Sequence, residues 1–269
     1  ELYTMAKLKD NKCWMTENLR LQLKTNKTLT PSDTNIAQNW TPNRSTETQL
    51  VGRWDQDPEG PSTVRSYYDS TRPEYGGYYT HTAATAGTIA GVESNSHDAS
   101  GSICPSNWRL PRAGSKANSL SENEFYALAF HYKKNAPWTG NDEWGWFLGS
   151  NEMVGGTPNI ITSGSRKNDS AAMMDEGIHS NLWSSTKAYL ITHGLASYIN
   201  VGHINTRNLD NQSQGFNVRC LTNSVKTISN VENLQDMKSE YCENSVAHEI
   251  TIMNDVRDNE AYTVAKLRD

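Results

Sequence analysis

The chain has 269 residues, a formal charge of -5 and 35% hydrophobic residues, with 8 Trp, 12 Tyr and 4 Phe. A mean hydropathy of -0.73 and a pI near 5.8, with no basic stripe, argue against a nucleic-acid partner, and no apolar run approaches the roughly 20 residues of a membrane-inserted helix. The aromatic content argues against a disordered chain and suits a loop-rich fold around a compact core.

Leu2 to Leu8 and Trp14 to Leu23 read as two strands around the turn-prone Asp10-Asn11-Lys12. Residues 24–64, rich in Thr, Asn, Ser and Pro, read as a long irregular segment that Trp40 and Trp54 anchor to the core. Tyr75-Gly-Gly-Tyr-Tyr79 places glycines between aromatics, as a strand in close backbone contact does. Ser121-Glu-Asn-Glu124 predicts a capping box with Leu120 stapled onto Phe125. Phe125, Leu128, Ala129 and Tyr132 then form one apolar helical face, which Asn135 and Pro137 terminate.

Residues 139–180 read as glycine-rich loop. Leu195 to Val201 alternates like a strand, and a polar stretch follows to Gln214. Gly215 to Leu221 places Phe216, Val218 and Cys220 on one face of a buried final strand. The expected class is α+β, with short antiparallel strands, one clear helix and long irregular loops. Residues 1–221 form the domain; residues 222–269 form a linker and the opening strand of a next repeat.

That repeat is visible at the two ends. Glu1-Leu-Tyr-Thr-Met-Ala-Lys-Leu-Lys-Asp10 and Glu260-Ala-Tyr-Thr-Val-Ala-Lys-Leu-Arg-Asp269 share seven of ten residues at an offset of 259. Fixed-offset similarity signals tandem repetition. One expectation is a single period of an array; another is a chain that passes its last strand to a neighbour.

Cys13, Cys104, Cys220 and Cys242 include no Cys-x-x-Cys pair. Two disulfides in an oxidising compartment fit this spacing, and four buried thiols are the alternative.

Four segments occur in a characteristic order: Cys13-Trp-Met-Thr-Glu-Asn-Leu19, Ile103-Cys-Pro-Ser-Asn-Trp-Arg-Leu-Pro111, Trp183-Ser-Ser-Thr186 and Gly215-Phe-Asn-Val-Arg-Cys220. Together they resemble the Fibrobacter succinogenes major paralogous domain family over residues 1–221, and Tyr78 to Gly87 also fits. The resemblance implies an exported bacterial surface protein with no established chemistry. Its closing pattern is similar to C-type-lectin-like folds, among them the formylglycine-generating enzymes and the variable proteins of diversity-generating retroelements. In those variable proteins the ligand-facing segment lies just before the Gly-Phe-x-Val-Arg-Cys strand.

The resemblance also implies a Cys104–Cys220 bridge. It further pairs Cys242 with the next repeat's counterpart of Cys13, which one period on would stand 30 residues after Cys242. That bridge could run between chains, the favoured arrangement, or form by fold-back within one chain. In either case Tyr262 to Leu267 should be β.

By the same resemblance, ligand binding falls in residues 187–214. The candidates are Tyr189, His193, Tyr198, His203, Asn205, Arg207, Asn208 and Asp210. Tyr provides rigid contact area and Asn adaptable hydrogen bonds; an ordinary polar loop is the plain alternative. No metal or other cofactor is expected. Calcium is the one ion that Asp55-Gln-Asp-Pro-Glu59 or Asn141-Asp-Glu143 would suit, and solvated acidic turns explain them better. The seven histidines show no His-x-x-x-His spacing, and neither a Gly-x-Ser-x-Gly elbow nor a phosphate loop occurs.

The expectation is therefore a non-enzymatic cell-surface or extracellular recognition module for a protein or carbohydrate ligand, arrayed with neighbouring copies of itself. A filament or stalk subunit is the alternative, and a formylglycine-type oxidase comes third.

Overall fold

The structure, a computed structural model, describes residues 2–21, 23, 66–68, 71–89, 96–105, 107–116, 119–132, 146–148, 158–167, 172–190, 192–200, 203–222 and 263–266. In chain order the strands are β1 (Leu2–Lys7), β2 (Cys13–Met15), β3 (Ser66–Tyr68), β4 (Gly77–Tyr79), β5 (His97–Asp98), β6 (Trp146–Leu148), β7 (Ser165–Arg166) and β8 (Met173–Met174). They continue as β9 (His179–Lys187), β10 (His193–Asn200), β11 (His203–Asn211), β12 (Phe216–Asn217), β13 (Leu221–Thr222) and β14 (Thr263–Lys266). The helices are α1 (His81–Ala84) and α2 (Glu124–Tyr132). Their arrangement is α+β.

A four-stranded sheet has the order β13-β2-β1-β14. An eight-stranded sheet runs β3-β4-β12-β9-β10-β11-β6 with β5 also on β9, and β7-β8 form a small pair. The β9–β12 contact is parallel and the other named pairs are antiparallel.

The first hairpin follows from Asp10-Asn11-Lys12. Asn11 takes a left-handed φ of 67°, and the Asp10 carboxylate accepts from the Lys12 N–H and, at 2.9 Å, from Trp14 Nε1. β2 is shorter than the expected Trp14–Leu23 strand. Past Met15 the chain leaves the ladder and follows the closing motif, Leu19 N–H donating to the Val218 carbonyl at 2.8 Å. The close approach expected at Tyr75 to Tyr79 is present. Gly76 has φ 71°, and a Cβ there would meet Asn18 at 2.5 Å.

α2 begins later than the Ser121 box. The Asn123 side chain accepts from Tyr126 N–H at 2.9 Å and is the true N-cap, while Leu120 is 46% exposed and makes no staple. Glu124 is withdrawn from capping by stronger partners: Arg109 through two nitrogens at 2.6 Å, Lys12 Nζ at 2.7 Å and the Arg112 N–H at 2.8 Å. The predicted apolar face holds, with Phe125, Leu128, Ala129 and Tyr132 buried against Ala6, Leu8, Trp14, Leu182, Ile199 and Ile204.

The closing segment is two short strands rather than one, β12 pairing with β4 and β9 and β13 with β2. Phe216, Val218 and Cys220 nevertheless share one core with Trp183, Tyr79 and Met5. Cys104 and Cys220 are bonded, their Cα atoms 5.7 Å apart, as the resemblance implied.

The other motif residues act as scaffold. Arg219 is fully buried, its Nε donating to Asn18 Oδ1 at 2.8 Å and its terminal nitrogens to the carbonyls of Pro158 and Asn159. Asn217 Nδ2 donates to the Tyr75 and Gly77 carbonyls, and Trp183 Nε1 to the Tyr79 carbonyl. Arg219 ties the 158–159 segment to Asn18, while Asn217 and Trp183 brace neighbouring strands β12, β4 and β9 of the large sheet.

At the other end, Thr263–Lys266 is a strand, as the repeat predicts, and it pairs antiparallel with β1 of its own chain. Within this one chain the terminal strand is folded back onto β1. Cys13 is disulfide-bonded. Cys242, the rest of residues 223–262, residues 267–269, the 24–64 segment and both acidic runs lie outside the described residues.

Candidate functional site

Within the segment 187–214 the strand expected at Leu195 to Val201 is present as β10, and the polar stretch that follows is also largely strand. β10 and β11 pair with each other and lie between β9 and β6 in the large sheet. On one face Asn181 of β9, Tyr198 of β10 and Asn205 of β11 stand opposite one another in a row. The ring of half-buried Tyr198 lies between two imidazoles, His179 with centroids at 4.4 Å and His203 at 5.2 Å. Burial lowers both histidines, with His179 pushed further by His203 and opposed by Asp175, so both rings are neutral at pH 7. The His203 N–H donates to Asn200 Oδ1 at 2.6 Å, which fixes the turn between β10 and β11. Beside this stack Asn181 Oδ1 has no hydrogen-bond partner among the described residues, and Ile178 is 58% exposed.

A β-bulge sets the next group. Thr206 and Arg207 together stand opposite Ser197, so Asn205 and Asn208 fall on the same face although three residues apart. Asn205 Nδ2 donates to Asn208 Oδ1 at 3.2 Å, and Asn208 Nδ2 donates to Asp210 Oδ2. Burial raises the Asp210 carboxyl to about 7 against the pull of the Asn208 hydrogen bond. The Arg207 N–H donates to Asn205 Oδ1 at 3.0 Å, and burial lowers its half-buried guanidinium.

The hairpin between β9 and β10 carries the third group. Tyr189 is 57% exposed and Leu190 38%. His193, at the start of β10, shares a 2.9 Å hydrogen bond with Thr192 Oγ1, and burial lowers it.

The predicted residues therefore divide three ways. Tyr198 and His203 come together in the stack, Asn205, Asn208 and Asp210 form a ladder that Arg207 joins through its main chain, and Tyr189 and His193 sit at the opposite end of β10. Asn205 is only 4% exposed and supports the row from within rather than offering a surface amide. His179 and Asn181 belong to the site but precede residue 187. Alternation of His179, Asn181 and Trp183 along one strand was the signal that could have found them.

No protein-family model matches the chain, and neither the search of curated proteins nor that of solved structures gave a match.

Among the described residues no group of three His, Cys, Asp or Glu side chains is arranged to hold a metal ion. Cys220, the thiol an oxidase would need to be reactive, is bonded to Cys104. What the β9–β11 face offers is aromatic surface with amide and neutral imidazole groups beside it. Such groups can stack and form hydrogen bonds.

Proposed function

We propose that this chain is a non-catalytic recognition module, C-type-lectin-like in arrangement and displayed outside the cytoplasm, which binds a protein or carbohydrate ligand on the β9–β11 face. The observation that carries this reading is the His179–Tyr198–His203 stack, in which Tyr198 and His203 are half-buried beside half-buried Asn200, while His179 and Asn181 are buried and support it. An aromatic plane gives contact area at low entropic cost, and fixed amides give direction. The bridged Cys104 and Cys220 support export to an oxidising compartment. The four motif segments support the likeness to the Fibrobacter paralogous domains. Screening the chain on printed arrays of glycans and of cell-surface proteins, beside Tyr198→Ala, tests the reading: ligands retained by the parent should be lost by the variant.

A second reading, the assembly subunit, is favoured by a different observation. The last described strand repeats the sequence of the first and pairs with it.

A further inference from the structure

We infer that the outer edge of β1 is a strand-acceptor site, that β14 is the strand it accepts, and that β14 exchanges between copies so that one chain closes the β1 edge of a second. This deepens the assembly reading and does not depend on ligand binding at the β9–β11 face.

The edge is defined by the main chain of β1. The Thr4 carbonyl accepts from Thr16 N–H at 3.0 Å, and the Thr4 N–H donates to the Glu17 carboxylate at 3.2 Å. Thr4 therefore turns its main chain toward the β2 side, and its alternating neighbours Tyr3 and Met5 turn theirs outward. Tyr3 and Met5 are 4% and 1% exposed. With β14 in place both residues are buried; without it their outward N–H and C=O groups would form an open sheet edge.

The register says which edge of β14 fills it. Tyr3 stands opposite Ala265 and Met5 opposite Thr263. Opposed residues in an antiparallel ladder either both point at each other or both point away. Ala265 and Thr263 thus turn their main chains toward β1. One repeat earlier their counterparts are Ala6 and Thr4, the residues that β1 turns toward β2. So β14 meets β1 through the same edge that its sequence twin uses to meet β2. The second copy has kept a strand already fitted to pairing in this fold, and it has kept the Tyr, Thr, Ala, Lys and Leu of β1 in order.

Forty residues separate Thr222 from Thr263. Their covalent limit is about 130–145 Å at roughly 3.3–3.6 Å per residue, enough to reach the β1 edge of an adjoining copy. A tether of this length holds its strand at an effective concentration on the order of millimolar or less. Fold-back wins in dilute solution, and exchange wins where copies crowd on a surface. Donor and acceptor are different sites, so one-way exchange runs head-to-tail, whereas reciprocal exchange closes a dimer.

The test uses two full-length variants, Leu2→Cys and Lys266→Cys, at positions directly opposite in the register. They are mixed in equal amounts from micromolar to millimolar concentration, oxidised, and read by non-reducing electrophoresis and peptide mapping. A chain carrying both substitutions should close on itself when dilute. The mixture should form a 2–266 linked heterodimer whose share rises at least tenfold across the range, and Ala265→Pro in the Lys266→Cys chain, which removes an N–H turned toward β1, should abolish it. Thr4→Cys with Val264→Cys repeats the measurement at a second opposed pair. Closure of the double variants with no heterodimer at any concentration would overturn exchange. Failure of both double variants to close would overturn the acceptor site itself.

Discussion

Arg109 holds Glu124 through both terminal nitrogens, each 2.6 Å from a different carboxylate oxygen. Glu124 is wholly buried, and Lys12 reaches it from the β1–β2 turn. Burial alone would raise this carboxyl, but Arg109 and then Lys12 hold it down at about 2. One side chain thereby joins the first hairpin, the Ile103 to Pro111 motif and the start of α2. Glu124→Gln leaves two cations facing an uncharged group and should cost about 3–5 kcal/mol in denaturant unfolding. Because the folded value lies below the unfolded one, the Glu124 contribution is present above about pH 4.5 and is lost as pH falls toward 2. Acid titration of the parent should show that loss, and the variant should lack it.

Asp210 has the opposite sign. Its folded value of about 7 exceeds the unfolded 3.8 because burial disfavours the carboxylate. Stability should therefore be highest when both states are protonated, and should fall as pH rises from about 4 to about 7. Asp210→Asn should match the parent near pH 4 and exceed it at pH 7.5 by about 1–3 kcal/mol, discounted for the partial access of water to this half-buried group. Midpoints from urea unfolding at the two pH values check this; equal differences at both would contradict it.

The Cys104–Cys220 bridge spans 116 residues. On the chain-entropy estimate a loop of this size contributes about 4–5 kcal/mol. Cys104→Ala with Cys220→Ala should lower the unfolding free energy by that order, with a further penalty for the two cavities in the core around Trp183 and Phe216. A loss below about 1 kcal/mol would show that the bridge is incidental.

Several parts of the fold were legible because local chemistry acts alone there. Asp10-Asn11-Lys12 makes its turn through its own side chains, and the α2 face follows from helical spacing. Phe216, Val218 and Cys220 are buried together as their alternation requires, even though the ladder breaks around them. The helix start was misplaced by two residues because Glu124 has better partners, Arg109 and Lys12, than a capping box could offer. Those partners are distant in sequence. The stretch after Val201 was read as polar and not as a strand for a similar reason. The polarity of 203–214 reflects one face of a strand whose other face packs Ile204 and Thr206 beneath α2, where Asn123 donates to Thr206. The bulge at Thr206 and Arg207 breaks the period of two, so alternation across β11 fades from the sequence. The conspicuous motif residues Asn18, Asn217 and Arg219 are internal braces, and the site uses the less conspicuous His179, Tyr198 and His203.

Recognition through the Tyr198 stack is the central claim, and paired affinity measurements test it most directly. For each ligand retained on the arrays, calorimetric titration would compare the parent with Tyr198→Ala and with Tyr189→Ala, whose side chain lies at the far, exposed end of the hairpin. Loss of one stacked aromatic should weaken binding by at least about tenfold, in line with the 1–3 kcal/mol typical of a stacking contact, and Tyr189→Ala should stay within about twofold. Thermal unfolding should remain cooperative in both variants. Equal affinity of Tyr198→Ala and the parent for every retained ligand, with both folded, would contradict the claim.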